Sequence, residues 1–253
     1  MSSFGFVKRA FRVLSIPFGV YLLLVIGTYC YQRSLLFFPT HLPPVSRLTA
    51  WQVGGSIIGY CREVTNARAI WLMAHGNGGQ AADRDYVLGR MSDQDSLYVL
   101  EYPGYGAREG HPSKKSMDGA ASQAYELLRA QHPGKKVCVL GESLGSGPAC
   151  SLAHEKVPPD KIVLVVPFDT LASVASERFW FLPVRLLLRD RWNNVEMLQD
   201  YAGPVEIFGA VDDTIIPIHH ARFLAKKITR SHFTAIPGGH NDWADCADLQ
   251  IAP

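Results

Sequence analysis

Val137-Cys138-Val139-Leu140-Gly141-Glu142-Ser143-Leu144-Gly145-Ser146-Gly147-Pro148-Ala149 is the stretch whose reading decides the fold. The apolar run Val137 to Leu140 reads as a buried strand. It breaks at Gly141, and an Ala/Leu-rich run to His154 reads as a helix. Gly141, Ser143 and Gly145 thus spell G-x-S-x-G between a strand and a helix, the context a nucleophile elbow requires. A serine that turns sharply from strand to helix sits in a strained conformation, and its neighbours two residues away must be small. The helix start also offers backbone N–H groups to a developing anion. A glycine-rich turn without chemistry is the plainer alternative, so the remainder of the chain has to decide.

Outward from this stretch, apolar runs alternate with amphipathic ones. Strands are predicted over Ala69–Ala74, Ser96–Glu101, Lys136–Leu140, Lys161–Val166, Val205–Ala210 and His232–Ile236. Helices are predicted over roughly Ala81–Ser92, Met117–Gln131, Ser143–His154, His219–Ile228 and Asp242–Gln250. Leu48–Val53 and Ser56–Arg62, split by Gly54-Gly55, read as an antiparallel hairpin. Continuous apolar strands separated by helices predict a mostly parallel sheet covered on both faces, an α/β fold. Such sheets place ligands at the carboxyl ends of their strands. The polar residues just after the predicted strands include His75-Gly76-Asn77-Gly78, Ser143, Asp212-Asp213 and Gly239-His240-Asn241-Asp242. A nucleophile, an acid and a base therefore follow three strands in the chain order Ser, Asp, His.

The first forty residues read differently. No charge falls between Arg12 and Arg33, and Val13 to Gln32 is 20 residues, enough to cross ~30 Å of hydrocarbon as a helix. Lys8, Arg9 and Arg12 precede this run, while only Arg33 follows closely. The charge asymmetry predicts a single-pass anchor with its N-terminus in the cytoplasm and the domain on the other side, in periplasm or lumen. A cleaved signal peptide starts similarly, but no small-x-small site follows the apolar core. The expected organisation is an anchor over 1–38, a proline-punctuated linker over 39–47 and a domain over 48–253. Asp169 to Gln199 holds Phe179-Trp180-Phe181-Leu182-Pro183 and reads as a small apolar cap or lip over an acyl pocket.

Composition narrows the classes. The net charge of +2 and the absence of long basic runs argue against a nucleic-acid partner. The five cysteines show no C-x-x-C pair and no histidine spacing typical of zinc; Cys138 and Cys150 read as core residues.

With Gln32-Arg33-Ser34-Leu35-Leu36-Phe37-Phe38-Pro39, His75-Gly76-Asn77-Gly78, Glu101-Tyr102-Pro103-Gly104-Tyr105-Gly106, Gly141–Gly145, Pro167-Phe168-Asp169-Thr170-Leu171 and Gly239-His240-Asn241-Asp242, nearly the whole chain resembles the membrane-anchored α/β-hydrolases of the serine-hydrolase type. The resemblance implies an esterase, lipase or thioesterase acting on an apolar acyl group. In that reading Ser143 is the nucleophile and His240 the general base, leaving His219 and His220 as solvated or capping residues at a helix start and His75 as a structural residue beneath the oxyanion loop. The family's acid position, counted from Pro204 or back from Pro217, falls on Asp213; counted from Gly209 it falls on Asp212. The expected oxyanion donors are the N–H groups of Leu144 and of Asn77, with Gly78 the alternative to Asn77. Glu142 receives no role. No metal or organic cofactor is implied, because Ser/His/Asp chemistry is complete without one. An amide or peptide hydrolase on the same fold, and a non-catalytic tethered binding module, are the alternative functions.

Overall fold

The computed structural model describes residues 3–253, with side chains from Ile16 onward. Helix α1 (Ser3–Leu36) leads into a two-residue strand β1 (Phe38–Pro39). The hairpin β2 (Thr49–Val53) and β3 (Ser56–Arg62) follows, then β4 (Ala69–Ala74), a short β5 (Gly78–Gly79) and β6 (Ser96–Leu100). Next come α2 (Lys114–Gln131), β7 (Lys136–Glu142), α3 (Ser146–Ser151) and β8 (Ile162–Val165). The insertion after β8 carries α4 (Leu171–Arg178), α5 (Val184–Leu187) and α6 (Asn194–Leu198); β9 (Val205–Ala210), α7 (Ile218–Lys227) and β10 (Ser231–Ile236) complete the series.

Eight strands form one sheet in the order β10-β9-β8-β7-β4-β6-β3-β2. The six from β10 to β6 are parallel, and the β2–β3 hairpin adds antiparallel at the β6 edge. All six residues of β4 are buried. Their side chains alternate between faces, with Ile70, Leu72 and Ala74 in one core and Ala69, Trp71 and Met73 in the other. This is the two-fold period of a strand covered on both sides. Helix α2 covers one face with Met117, Ala120, Ala121, Ala124, Tyr125 and Leu128, the i, i+3, i+4 spacing of a helix with one buried stripe. Ser113 caps its start by accepting from the Ser116 N–H at 3.1 Å.

Two expectations need correction. The predicted helix Asp242–Gln250 is a single 3-10 turn, Trp243–Asp245; its Trp243 is buried, which fixes the turn by packing rather than by helical repetition. The second concerns the membrane. Among the described residues, no helix is long and apolar enough to cross a membrane, so the transmembrane helix expected from Val13 to Gln32 is not supported there. The expected span begins three residues before the described side chains, and its far end is committed to the domain. The Gln32 side chain donates to the Leu187 carbonyl at 3.1 Å and accepts from the Arg189 N–H at 2.7 Å. Arg33 pairs with the buried Asp190 at 2.8 Å. The stretch between is a helix whose Ile16, Phe18, Val20, Leu22, Leu23 and Ile26 are exposed. Pro17 lies inside α1 without ending it.

Candidate active site

Ser143 stands where β7 ends and is, among the described residues, one of three non-glycine residues with positive φ, at +51°. Few side chains adopt that conformation without surrounding support, and the flanking glycines supply it. A Cβ on Gly145 would lie 2.0 Å from the Ala74 carbonyl oxygen; one on Gly141 would lie 2.7 Å from Ala149 Cβ. Both positions therefore exclude any side chain, and the serine is held against the neighbouring strand β4.

His240 bridges two of the expected residues. Its Nε2 lies 2.7 Å from Ser143 Oγ and its Nδ1 lies 2.7 Å from Asp213 Oδ2. Asp213 is buried, and its other oxygen accepts from the Ile215 and Ile216 N–H groups at 2.9 and 2.8 Å. Asp212 is exposed and takes no part in this line; its N–H donates to the Gly238 carbonyl at 3.1 Å. The chain Asp213–His240–Ser143 draws on the ends of three strands, β9, β10 and β7.

Asn77 and Leu144, the expected oxyanion donors, lie on two elements: the loop after β4 and the turn that begins at Ser143. Leu144 is the second residue of the 3-10 turn Ser143–Gly145, within the first turn, where a helix leaves its N–H groups without internal partners. Asn77 sits in the loop after β4, tied by its side chain rather than by regular structure. Its amide nitrogen donates to the Leu36 carbonyl, while its Oδ1 accepts from the Phe38 N–H at 3.3 Å and from Tyr105 Oη at 3.0 Å. Strand β1 pairs with β5 immediately beyond it. The residues that follow α1 thus clamp the loop beside the serine. His75 lies fully buried beneath the loop, its Nδ1 2.7 Å from the Gly76 carbonyl and its ring 4.3 Å from that of Tyr102.

Glu142, to which the sequence assigns no role, has one in the structure. It is only 7% exposed. Its Oε2 accepts from the Gly76 N–H at 2.8 Å; its Oε1 accepts from Tyr86 Oη at 2.6 Å and from Trp243 Nε1 at 3.0 Å. Arg84 lies 3.9 Å from it, and the same guanidinium donates to the Gly78 carbonyl. Burial pushes the Glu142 carboxyl upward; the Arg84 charge and the three donors outweigh this, so it is held below the usual carboxylate value. One carboxylate thus ties the serine's strand to the His75–Gly78 loop and to Trp243 after His240. A charge at the end of an otherwise apolar buried strand has to be paired, and that signal was available in the sequence.

His219 and His220, expected as solvated or capping residues, divide. His219 is exposed, but His220 is 1% exposed, with Nδ1 2.8 Å from Asp169 Oδ1. Both rings face Glu177 of α4.

Between α1 and the insertion lies an apolar cavity of about 240 Å³, lined by Leu24, Leu36, Phe179, Leu182 and Leu187 among others. Leu36, in its lining, is also the residue whose carbonyl accepts from Asn77. The lip around it exposes Phe179, Trp180, Phe181 and Leu186, with Trp180 82% exposed. Tyr21 of α1 donates to the Phe181 carbonyl at 3.0 Å. All five cysteines are free, and Cys138 and Cys150 are buried as expected.

No family model matches the chain. It is 27% identical over 252 residues to an uncharacterized protein of Mycobacterium tuberculosis, covering 92% of this chain and 89% of that one. It is 27% identical over 176 residues to the lysophosphatidylserine lipase ABHD12 of Mus musculus, covering 62% of this chain but 44% of the lipase. Among solved structures, it resembles the esterase Est1E of Butyrivibrio proteoclasticus with a TM-score of 0.59 at 14% identity, over 76% of this chain and 90% of that one. The Pyrococcus furiosus esterase Pf2001 gives 0.57 at 12% identity, over 82% and 94%. The fold is that of the α/β-hydrolases.

Proposed function

We propose that the chain is a serine hydrolase that cleaves a carboxylic ester or thioester carrying an apolar acyl group, with Ser143 as nucleophile, His240 as general base and Asp213 as the orienting acid. The observation that carries this reading is the line of 2.7 Å contacts from Asp213 through His240 to Ser143 Oγ. A free hydroxyl is a weak nucleophile near neutral pH, so attack requires a base within reach. His240 takes the proton as Ser143 Oγ adds to the acyl carbonyl. The resulting oxyanion turns toward the Leu144 and Asn77 N–H groups, and one such donor is worth about 3 kcal/mol in the transition state. His240 then gives its proton to the departing alkoxide or thiolate. Water attacks the acyl-enzyme by the same route in reverse, releasing the acid and the free serine. Asp213 keeps the imidazole in the tautomer that leaves Nε2 free to accept, and stabilises its cation.

The apolar acyl group is assigned to the cavity between α1 and the insertion. Its lining is almost wholly aliphatic and aromatic, and the Leu36 carbonyl in it accepts from Asn77. The exposed faces of α1 and of Phe179–Phe181 continue this apolar surface outward, which supports lipid contact there. The named activity of ABHD12 favours an ester over an amide.

The reading is tested with a fluorophosphonate probe and p-nitrophenyl esters of graded chain length. Wild type is labelled and hydrolyses the esters; Ser143→Ala does neither. A Ser143→Ala protein that still takes up the probe overturns the assignment.

A further inference from the structure

Away from the serine, Glu177, His219 and His220 bring one carboxylate and two imidazoles together, with their ligand atoms all within 4.8 Å of one another. Glu177 belongs to α4 of the insertion, and the two histidines belong to the first turn of α7, just beyond the Asp213 loop. Each histidine Nε2 faces a different oxygen of the same carboxylate: His219 Nε2 lies 3.1 Å from Oε1 and His220 Nε2 lies 3.3 Å from Oε2. The two rings stack at 4.3 Å, which carries both nitrogens to one side although the residues are adjacent in a helix.

His219 Nε2 and Glu177 Oε1 are within hydrogen-bond distance at 3.1 Å, and two further features distinguish this cluster from a surface ion pair. The first is His220. Its side chain is buried and its Nε2 makes no aligned hydrogen bond, although Glu177 lies near. A buried ring nitrogen aimed at a carboxylate without bonding to it is an unmet polar group, and a cation between them would satisfy both. The second is Asp169. Its Oδ1 takes the Nδ1 side of His220 at 2.8 Å while also accepting from the Thr170 N–H at 2.6 Å. A carboxylate on one imidazole nitrogen fixes the tautomer that offers the other to a metal, the arrangement seen behind metal-ligating histidines.

We infer that Glu177, His219 and His220 form a binding site for a divalent transition-metal ion, with Asp169 as the positioning carboxylate behind His220. Two imidazoles and one carboxylate suit zinc, with a water in the fourth position. That position faces solvent, because His219 and Glu177 are about half exposed. The ion joins α4 to α7. Glu177 stands two residues before Phe179, where the aromatic lip of the cavity begins, so metal binding fastens the insertion to the element that follows the Asp213 loop. The site has no part in the acyl-transfer steps and stands or falls separately from them.

The experiment uses the untagged full-length chain in detergent, stripped with a chelator and titrated with Co²⁺ alone, followed by Zn²⁺. Wild type and Ser143→Ala both take up one Co²⁺ with visible absorption bands of a four- or five-coordinate ion, and Zn²⁺ bleaches them. His219→Ala and Glu177→Gln, both at exposed positions that leave the core untouched, lose the bands. Asp169→Asn weakens the affinity about 10–100-fold, the usual cost of removing a carboxylate behind a ligating histidine. A chain that binds no saturating ion overturns the inference. So does one whose Co²⁺ bands persist unchanged in His219→Ala and Glu177→Gln, since the ion then sits elsewhere.

Discussion

Replacing Glu142 by glutamine removes a charge while keeping shape, and its effect can be worked from the contacts. The carboxylate serves the Gly76 N–H on one oxygen and Tyr86 and Trp243 on the other. An amide retains one oxygen and turns an NH₂ toward the remaining donor. At least one charge-assisted hydrogen bond is lost, about 1.5–3 kcal/mol. Arg84 keeps the Gly78 carbonyl but loses its nearby anion. Removing one partner of a buried pair costs about 3–5 kcal/mol when nothing replaces it. With the amide in place the expected loss is about 3 kcal/mol, within the 5–15 kcal/mol typical of a folded domain. Urea unfolding reads this as a midpoint lower by about 1 M or more. Arg84→Met in the Glu142→Gln background recovers part of the loss, with a coupling above about 1 kcal/mol. Because Gly76 precedes Asn77, kcat on a short ester falls about tenfold, less than the 10²–10³ of a donor removed outright. The pH dependence has a definite sign. The Glu142 carboxyl is held below its ordinary value in the folded state, so its contribution is full above the unfolded value of about 4.3 and fades as pH falls further. The gap between wild type and Glu142→Gln therefore narrows below about pH 4.3. A midpoint shift under about 0.2 M, or a gap that widens in acid, refutes the buttress.

Other outcomes follow from the same geometry. Asp213→Asn lowers kcat by about 10⁴ through the wrong imidazole tautomer, whereas the exposed Asp212→Asn stays within twofold; equal losses in steady-state kinetics would contradict the assignment of the acid. Gly145→Ala, whose Cβ would meet the Ala74 carbonyl at 2.0 Å, lowers urea stability by about 3 kcal/mol or more. Gly89→Ala, with nothing within 4 Å, changes it by less than about 0.5 kcal/mol. Trp180→Ser combined with Leu186→Ser weakens flotation with phosphatidylcholine vesicles and raises KM for a long-chain ester, while a water-soluble acetate ester is turned over as before. Unchanged flotation in that variant removes the lip from lipid contact.

Much of the sheet was legible because burial on both faces writes itself as continuous apolar runs. Ala69–Ala74 and Val205–Ala210 were predicted with the bounds the strands have. The serine turn was legible for a steric reason, since its glycines face backbone atoms and admit no side chain. Spacing favours Asp213 over Asp212 by two counts to one; burial and the Ile215 and Ile216 amides separate the two further. The parts that escaped are held by side chains from distant segments. Glu142 meets Gly76, Tyr86 and Trp243, and His220 meets Asp169 and Glu177, with no local period to announce either. The predicted helix after Asp242 failed for the same reason: Trp243 is fixed by what it packs against. At the N-terminus, apolar composition was read as a span, while Gln32 and Arg33 spend their polar groups on the domain.

The positive φ at Ser143 has a kinetic side. The carbonyls that crowd Gly145 belong to Ala74 and His75, and β4 meets β7 by pairing Ala69 with Lys136, far apart along the chain. Contacts of that separation close late, after the entropy of a long loop has been overcome. Until they do, nothing holds the serine in its left-handed conformation, and the residue relaxes with its neighbours. A refolding chain is then helical and compact before it can be acylated. Reactivity toward a fluorophosphonate is accordingly a late reporter of assembly, lagging the far-ultraviolet circular dichroism signal within the same refolding run.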